Sequence, residues 1–113
     1  MTFIAYLFAS LDGVSKIGKY TGTGSDVNVD CGFTNGARFV LIKRIDSGWA
    51  ASWWVFDTVR GINSGNEPGI YLNNNSAEYS RDSIDPLSSG FTVKPGDFEL
   101  NASGVEYLFF AIA

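Results

Sequence analysis

Through most of this chain apolar and polar residues alternate with a period of two, and short clusters of Gly, Asn, Asp or Pro interrupt the alternation. No stretch keeps a helical period for three turns. The pattern predicts a first strand over Phe3–Ser10, ended by Asp12-Gly13, and a second over Val14–Thr21, ended by Gly22-Thr23-Gly24-Ser25. Val27–Phe33 alternates, and Asn35-Gly36 then offers a turn with positive φ. Ala37–Ile45 and Trp49–Thr58 are rich in β-branched and aromatic residues and flank Asp46-Ser47-Gly48, which predicts a central hairpin. Arg60–Glu67 reads as loop, Ile70–Leu72 as a short strand, and Asn73–Arg81 as a polar connection. Asp82–Leu87 fits one helical turn or irregular chain. Gly90–Val93 and Phe98–Leu100 read as short strands around the turn Lys94-Pro95-Gly96, and Val105–Ala113 as the last strand. Many short strands with turns at this spacing predict an all-β fold, an antiparallel β-sandwich, with a jelly-roll arrangement among the options.

Two features of the pattern go beyond fold class. Phe39–Ile42 and Trp53–Phe56 are apolar at successive positions, so both faces of these strands need cover. A partner subunit, a neighbouring module or the chain's own loops would each provide it. The second feature is a likeness between the ends. Thr2–Ala9 (TFIAYLFA) and Glu106–Ala113 (EYLFFAIA) align with Phe3 on Tyr107, Ile4 on Leu108, Tyr6 on Phe110 and Ala9 on Ala113. This suggests a module from a tandem array in which residues 1–12 correspond to the last strand of a preceding repeat and 13–113 form a complete one. The first strand would then pair beside Val105–Ala113, or exchange with it.

A length of 113 residues makes one domain, long enough to bury a core without disulfides or metals. A net charge of −4 and scattered Lys and Arg argue against nucleic-acid binding. Met1–Leu11 is apolar but lacks a basic n-region and is too short to span a membrane, so it reads as neither signal peptide nor anchor. Cys31 is the single cysteine, which removes an intrachain disulfide, and the absence of His removes imidazole-based triads and metal sites. Asp26–Asp30 begins like a calcium loop. Cys31 stands where the loop needs Gly, however, and Ala37 where it needs Glu, so the segment reads as a strand with a polar face. No cofactor is implied.

Two constellations could carry chemistry. Asp57 and Glu78 are carboxylates that could in principle pair for glycoside hydrolysis, although Asp57 and Arg60 also read simply as partners across a turn. Trp49 and Trp53, with Asn63, Asn66, Asn73 and Asn75 in polar loops, could form a saccharide site, because aromatic faces stack on sugar rings and amides bond hydroxyls. Adjacent Trp53 and Trp54 point to opposite faces of a strand, so at least one belongs to the core. Asn74-Asn75-Ser76 and Asn101-Ala102-Ser103 match glycosylation acceptors by chance in a chain without a secretion signal.

In order along the chain, GVSKIGKYTGTG (Gly13–Gly24), Gly32-Phe33, FVLIK (Phe39–Lys43), WVFDTVRG (Trp54–Gly61), Gly90–Val93 and NASGVEYLFFAIA (Asn101–Ala113) resemble a β-rich module of phage tail-fibre and receptor-binding virion proteins, often from marine phages. The resemblance covers nearly the whole chain. It departs at Thr34-Asn35-Gly36, where a Pro-containing turn is usual, and at the longer Gly61–Gly69 loop. It implies a noncatalytic virion part, made in the host cytoplasm, that attaches to a host-surface glycan or protein or spaces other domains, commonly as a homo-oligomer. The alternative is a lectin-like carbohydrate-binding module.

Overall fold

In the computed structural model, residues 1–46 and 50–113 are described. Among these residues nine strands and one helical turn follow in order: β1 Ser15–Thr21, β2 Val27–Asp30, β3 Phe39–Arg44, β4 Trp53–Asp57, β5 Glu67–Tyr71, β6 Tyr79–Arg81, β7 Ile84–Leu87, β8 Gly90–Val93, α1 Phe98–Asn101 and β9 Glu106–Ile112. They form two antiparallel sheets, one of six strands in the order β1-β9-β3-β4-β5-β6 and one of three in the order β2-β8-β7. The expected β-sandwich is the fold. Among the described residues no helix is long and apolar enough to cross a membrane.

Inward residues of both sheets make the core. From the large sheet come Tyr20, Val40, Ile42, Trp54, Phe56, Tyr107, Phe109 and Ala111, and from the small one Val29, Ile84, Phe91 and Val93. Phe91 meets Phe109 edge to face at 5.5 Å, joining the sheets at the middle. Trp54 and Phe56 lie parallel with centroids 5.7 Å apart. Gly69 opposite them is required, because a Cβ there would stand 2.8 Å from the Phe56 ring.

β9 is hydrogen-bonded on both sides: to β1 with Ser15 opposite Ile112 and Tyr20 opposite Tyr107, and to β3 with Phe39 opposite Ile112 and Arg44 opposite Tyr107. Both flanks are filled, and residues 1–10 form no strand. This corrects the expectation of a first strand over Phe3–Ser10 lying beside the last one. The hairpin does begin, since Leu11 and Ser15 exchange backbone bonds around Gly13, whose φ is 71°. It stops there because side chains capture the next ladder groups. Ile17 N–H donates to Ser10 Oγ at 3.0 Å, and Ser15 Oγ donates to the Ala9 carbonyl at 2.8 Å. The segment instead leaves as an exposed arm, with Phe8 against Phe110 at 4.7 Å between ring centroids.

Three more expectations are corrected. Asp82–Leu87 is neither helical nor irregular: β7 pairs with β8 in a hairpin closed by Ser88-Ser89, and Pro86 is tolerated because β7 is an edge strand. The polar stretch before it ends in β6, paired with β5. Phe98–Leu100 belongs to a helical turn, because Asp97 accepts the Glu99 N–H through its side chain and the Asn101 N–H through its carbonyl.

Two buried polar side chains tie the layers together. Asn101 receives the Thr23 and Gly24 N–H groups at its Oδ1 (2.8 and 3.3 Å) and donates from Nδ2 to the Ser25 and Lys94 carbonyls (2.7 and 3.1 Å). Its place in an Asn-Ala-Ser acceptor sequence is therefore structural, since the amide is buried and occupied. Glu67 starts β5 fully buried and accepts the Ser83 and Ile84 N–H groups through Oε1 at 2.7 and 2.8 Å. Its Oε2 has no partner among the described residues. Burial raises the Glu67 carboxyl above its ordinary range, against the opposing pull of those backbone bonds.

Replacing Asn101 by Ala leaves loop N–H groups and carbonyls without partners and should cost about 2–4 kcal/mol of unfolding free energy, measurable by urea denaturation. For Glu67 the folded state holds its proton to higher pH than the unfolded chain does. Stability therefore falls as pH rises from the unfolded carboxylate value, near 4.5, through the higher folded value. Glu67→Gln keeps the acceptor oxygen and should flatten that decline in urea melts across a pH series. A variant whose profile runs parallel to that of the unmodified chain would contradict this account.

Candidate functional site

The two sheets present very different outer faces. On the small sheet Asn28, Asp30, Asp85 and Thr92 face outward, Thr92 Oγ1 donates to Asn28 Oδ1 at 2.8 Å, and Lys94 bridges Asp26 and Asp85 at 2.9 and 3.3 Å. Asp26–Asp30 is thus a strand with a polar face, tied by hydrogen bonds and an ion pair, as its alternation suggested. On the large sheet the outward positions of neighbouring strands carry Ile17, Phe110, Leu41, Val55 and Ile70 in one row across the strands. The double-sided apolar strands seen in the sequence therefore lie at the middle of this sheet. Part of their cover is the chain's own arm.

The arm crosses the outer face and, with the sheet, frames two hollows. One, of about 270 Å³, lies under Tyr6, Leu7 and Phe8 against Ile17, Leu41 and Leu108. The other is an open groove of about 470 Å³ between Tyr6, Phe8, Leu41, Trp53, Leu72 and Asn73. The groove is where the structure brings sequence candidates together. The Trp53 backbone N–H donates to Asn73 Oδ1 at 2.9 Å, and Trp53 is 38% exposed. Trp54, on the other face, is core: its Nε1 donates to Glu99 Oε2 at 2.7 Å and its ring meets Tyr71.

The remaining candidates do not join this pair. Asn63 and Asn66 are exposed in the connection between β4 and β5, at the opposite end of those strands from Trp53 and Asn73. Asn75 is exposed in the turn after β5, where the neighbouring Asn74 accepts the Ser76 N–H. Trp49 lies outside the described residues. Tyr6 and Leu72, which line the groove, were not singled out from the sequence. The available signal was the i, i+2 pairing of Tyr6 with Phe8, which puts two aromatic rings on one side of an extended segment.

Asp57 and Glu78 do converge, but on Arg60, whose guanidinium contacts Asp57 and stands 3.3 Å from Glu78. Burial alone would raise the Asp57 carboxyl, but hydrogen bonds from the Arg60 backbone and guanidinium outweigh it and hold Asp57 below its ordinary value. The arrangement is an ion-paired turn, and it lowers the very carboxyl that a general acid would need raised. Cys31 is buried, and burial followed by the neighbouring Asp30 pushes its thiol up to about 11, so the thiolate is scarce at neutral pH. Among the described residues no group of three or more His, Cys, Asp or Glu side chains could hold a metal ion.

The fold and its surface define a β-sandwich with one charged outer face and one apolar outer face crossed by an arm. The chain belongs to the family described as a domain of unknown function, DUF7483, which its residues 1–113 match. No curated protein and no solved structure matches it.

Proposed function

We propose that this domain is a noncatalytic structural module of a phage virion, tail-fibre-like in kind, which attaches to a host surface or spaces neighbouring domains. The observation that carries the reading is the apolar outer face with its exposed arm. Phe3, Ile4, Tyr6 and Leu7 are each 80% or more exposed, a display that suits a protein working by contact. Placement in a virion rests on the ordered resemblance from Gly13 to Ala113. Antibodies raised against the domain should label the tail structure of virions that encode it in negative-stain images. Labelling absent from every tail structure would count decisively against the virion assignment.

A lectin-like reading is favoured by one observation, that Trp53 and Asn73 line the same aromatic groove, the Trp53 backbone N–H holding the Asn73 amide oxygen. A stacked sugar ring would change indole emission. Titration with a panel of host-surface glycans should then shift tryptophan fluorescence in the unmodified protein and not in Trp53→Ala. Emission unchanged across the panel would remove this version.

A further inference from the structure

The arm and the outer face of the large sheet form a knob and a socket on the same molecule. Tyr6 and Phe8 line the groove, while Phe3, Ile4 and Leu7 remain 82%, 81% and 94% exposed. Among the described residues no backbone–backbone hydrogen bond engages residues 1–10. On the sheet beneath, Leu72 is 60% exposed beside Trp53 at 38%. We infer that a second copy of this chain covers this surface, in a two-fold dimer in which the arm of each copy packs on the outer sheet face of the other.

Three observations select a second copy as the occupant. No side chain from Met1 to Leu11 is charged, so an arm lies on the apolar sheet face of a second copy without burying a side-chain charge. Charged groups on the face are satisfied within the chain: Lys19 pairs with Glu106 at 3.0 Å, Asp57 with Arg60, and Lys43 Nζ donates to the Ala51 carbonyl at 2.5 Å. The area also suffices. Phe3, Ile4, Tyr6, Leu7 and Leu72 together offer roughly 600 Å² per copy. An isologous contact doubles this to roughly 1,200 Å², the lower bound of a stable specific interface. Because knob and socket occur on one chain, a two-fold axis satisfies both at once.

The inference does not depend on the virion assignment. Sedimentation equilibrium of the full chain should give twice the 12.3 kDa chain mass. Ile4→Asp/Leu7→Asp on the arm and Leu72→Asp on the sheet should each return the chain mass. All three side chains are exposed, so far-UV circular dichroism should be unchanged. A monomer at the highest soluble concentration overturns the inference, as does a trimer or an open polymer. Dimerisation that survives both variants also overturns it, because the contact would then lie elsewhere.

Discussion

The structure depends on the insertion of its C-terminal strand between β1 and β3. Until β9 is in place the six-stranded sheet is two separate pieces, a lone β1 and the β3–β6 meander, and neither has a complete inner face. Its insertion brings Tyr107 onto Tyr20, with stacked rings 5.1 Å apart. Both hydroxyls then donate to carbonyls of α1, Tyr20 to Leu100 and Tyr107 to Phe98, each at 2.7 Å. Burial of two large aromatics is worth roughly 1.5–3 kcal/mol each, and these bonds remove the cost of burying their hydroxyls. Arg44 joins the same latch: it forks onto Asp46 at 2.6 and 2.8 Å and donates to the Phe98 carbonyl at 2.9 Å. The far end of the chain thus fixes its beginning, and most of the sheet's order comes from pairings between residues distant in sequence.

The same constraint accounts for the arm. Its apolar pattern is that of β9, and a chain free to choose would add it to a sheet. Both flanks of β9 are occupied, and beside β1 the Ser10 and Ser15 hydroxyls divert the groups a ladder would use. An extended apolar segment denied a ladder can still lower its free energy by covering apolar surface, and the nearest such surface is the outer face of the sheet it failed to join. The contact between Phe8 and Phe110 is the visible part of that compromise.

Legibility in the sequence followed the range of the forces involved. Strands whose alternation was long or whose residues were β-branched, as in Ser15–Thr21, Phe39–Arg44 and Glu106–Ile112, were readable because local pattern and tertiary burial agree there. β7 was not, because Asp85 and Pro86 are poor strand formers and the segment is extended only by pairing with β8. α1 was mistaken for a strand although Asp97 stood in front of it as a capping residue. Two apolar residues in three positions weighed more than a cap that acts on a single turn. The arm failed in the opposite sense, since its local pattern was correct for a strand and long-range occupancy forbade one. At the candidate site, the alternation of Trp53 with Trp54 made it legible that at least one of them is core, and left open which. The pairing of Trp53 with Asn73, rather than with Asn63 or Asn66, followed from which end of the β4–β5 pair each loop occupies.

A sandwich normally spends its apolar residues between its sheets and leaves both outer faces wet. Here the three-stranded sheet follows that rule, with Asp26, Asp85 and Lys94 in an ion-paired network over its outside. The six-stranded sheet breaks it. Val55, on the outward side of β4, is only 4% exposed, a level of burial typical of a core residue. Outward apolar residues add nothing to the interior that Phe91, Phe109 and Trp54 already fill, and left bare they would lower solubility. Their free energy is recovered only if something lies over them. The arm, which begins the chain and crosses this face, supplies part of that layer and keeps its own apolar side turned outward, so the layering of the fold continues beyond the domain's own two sheets.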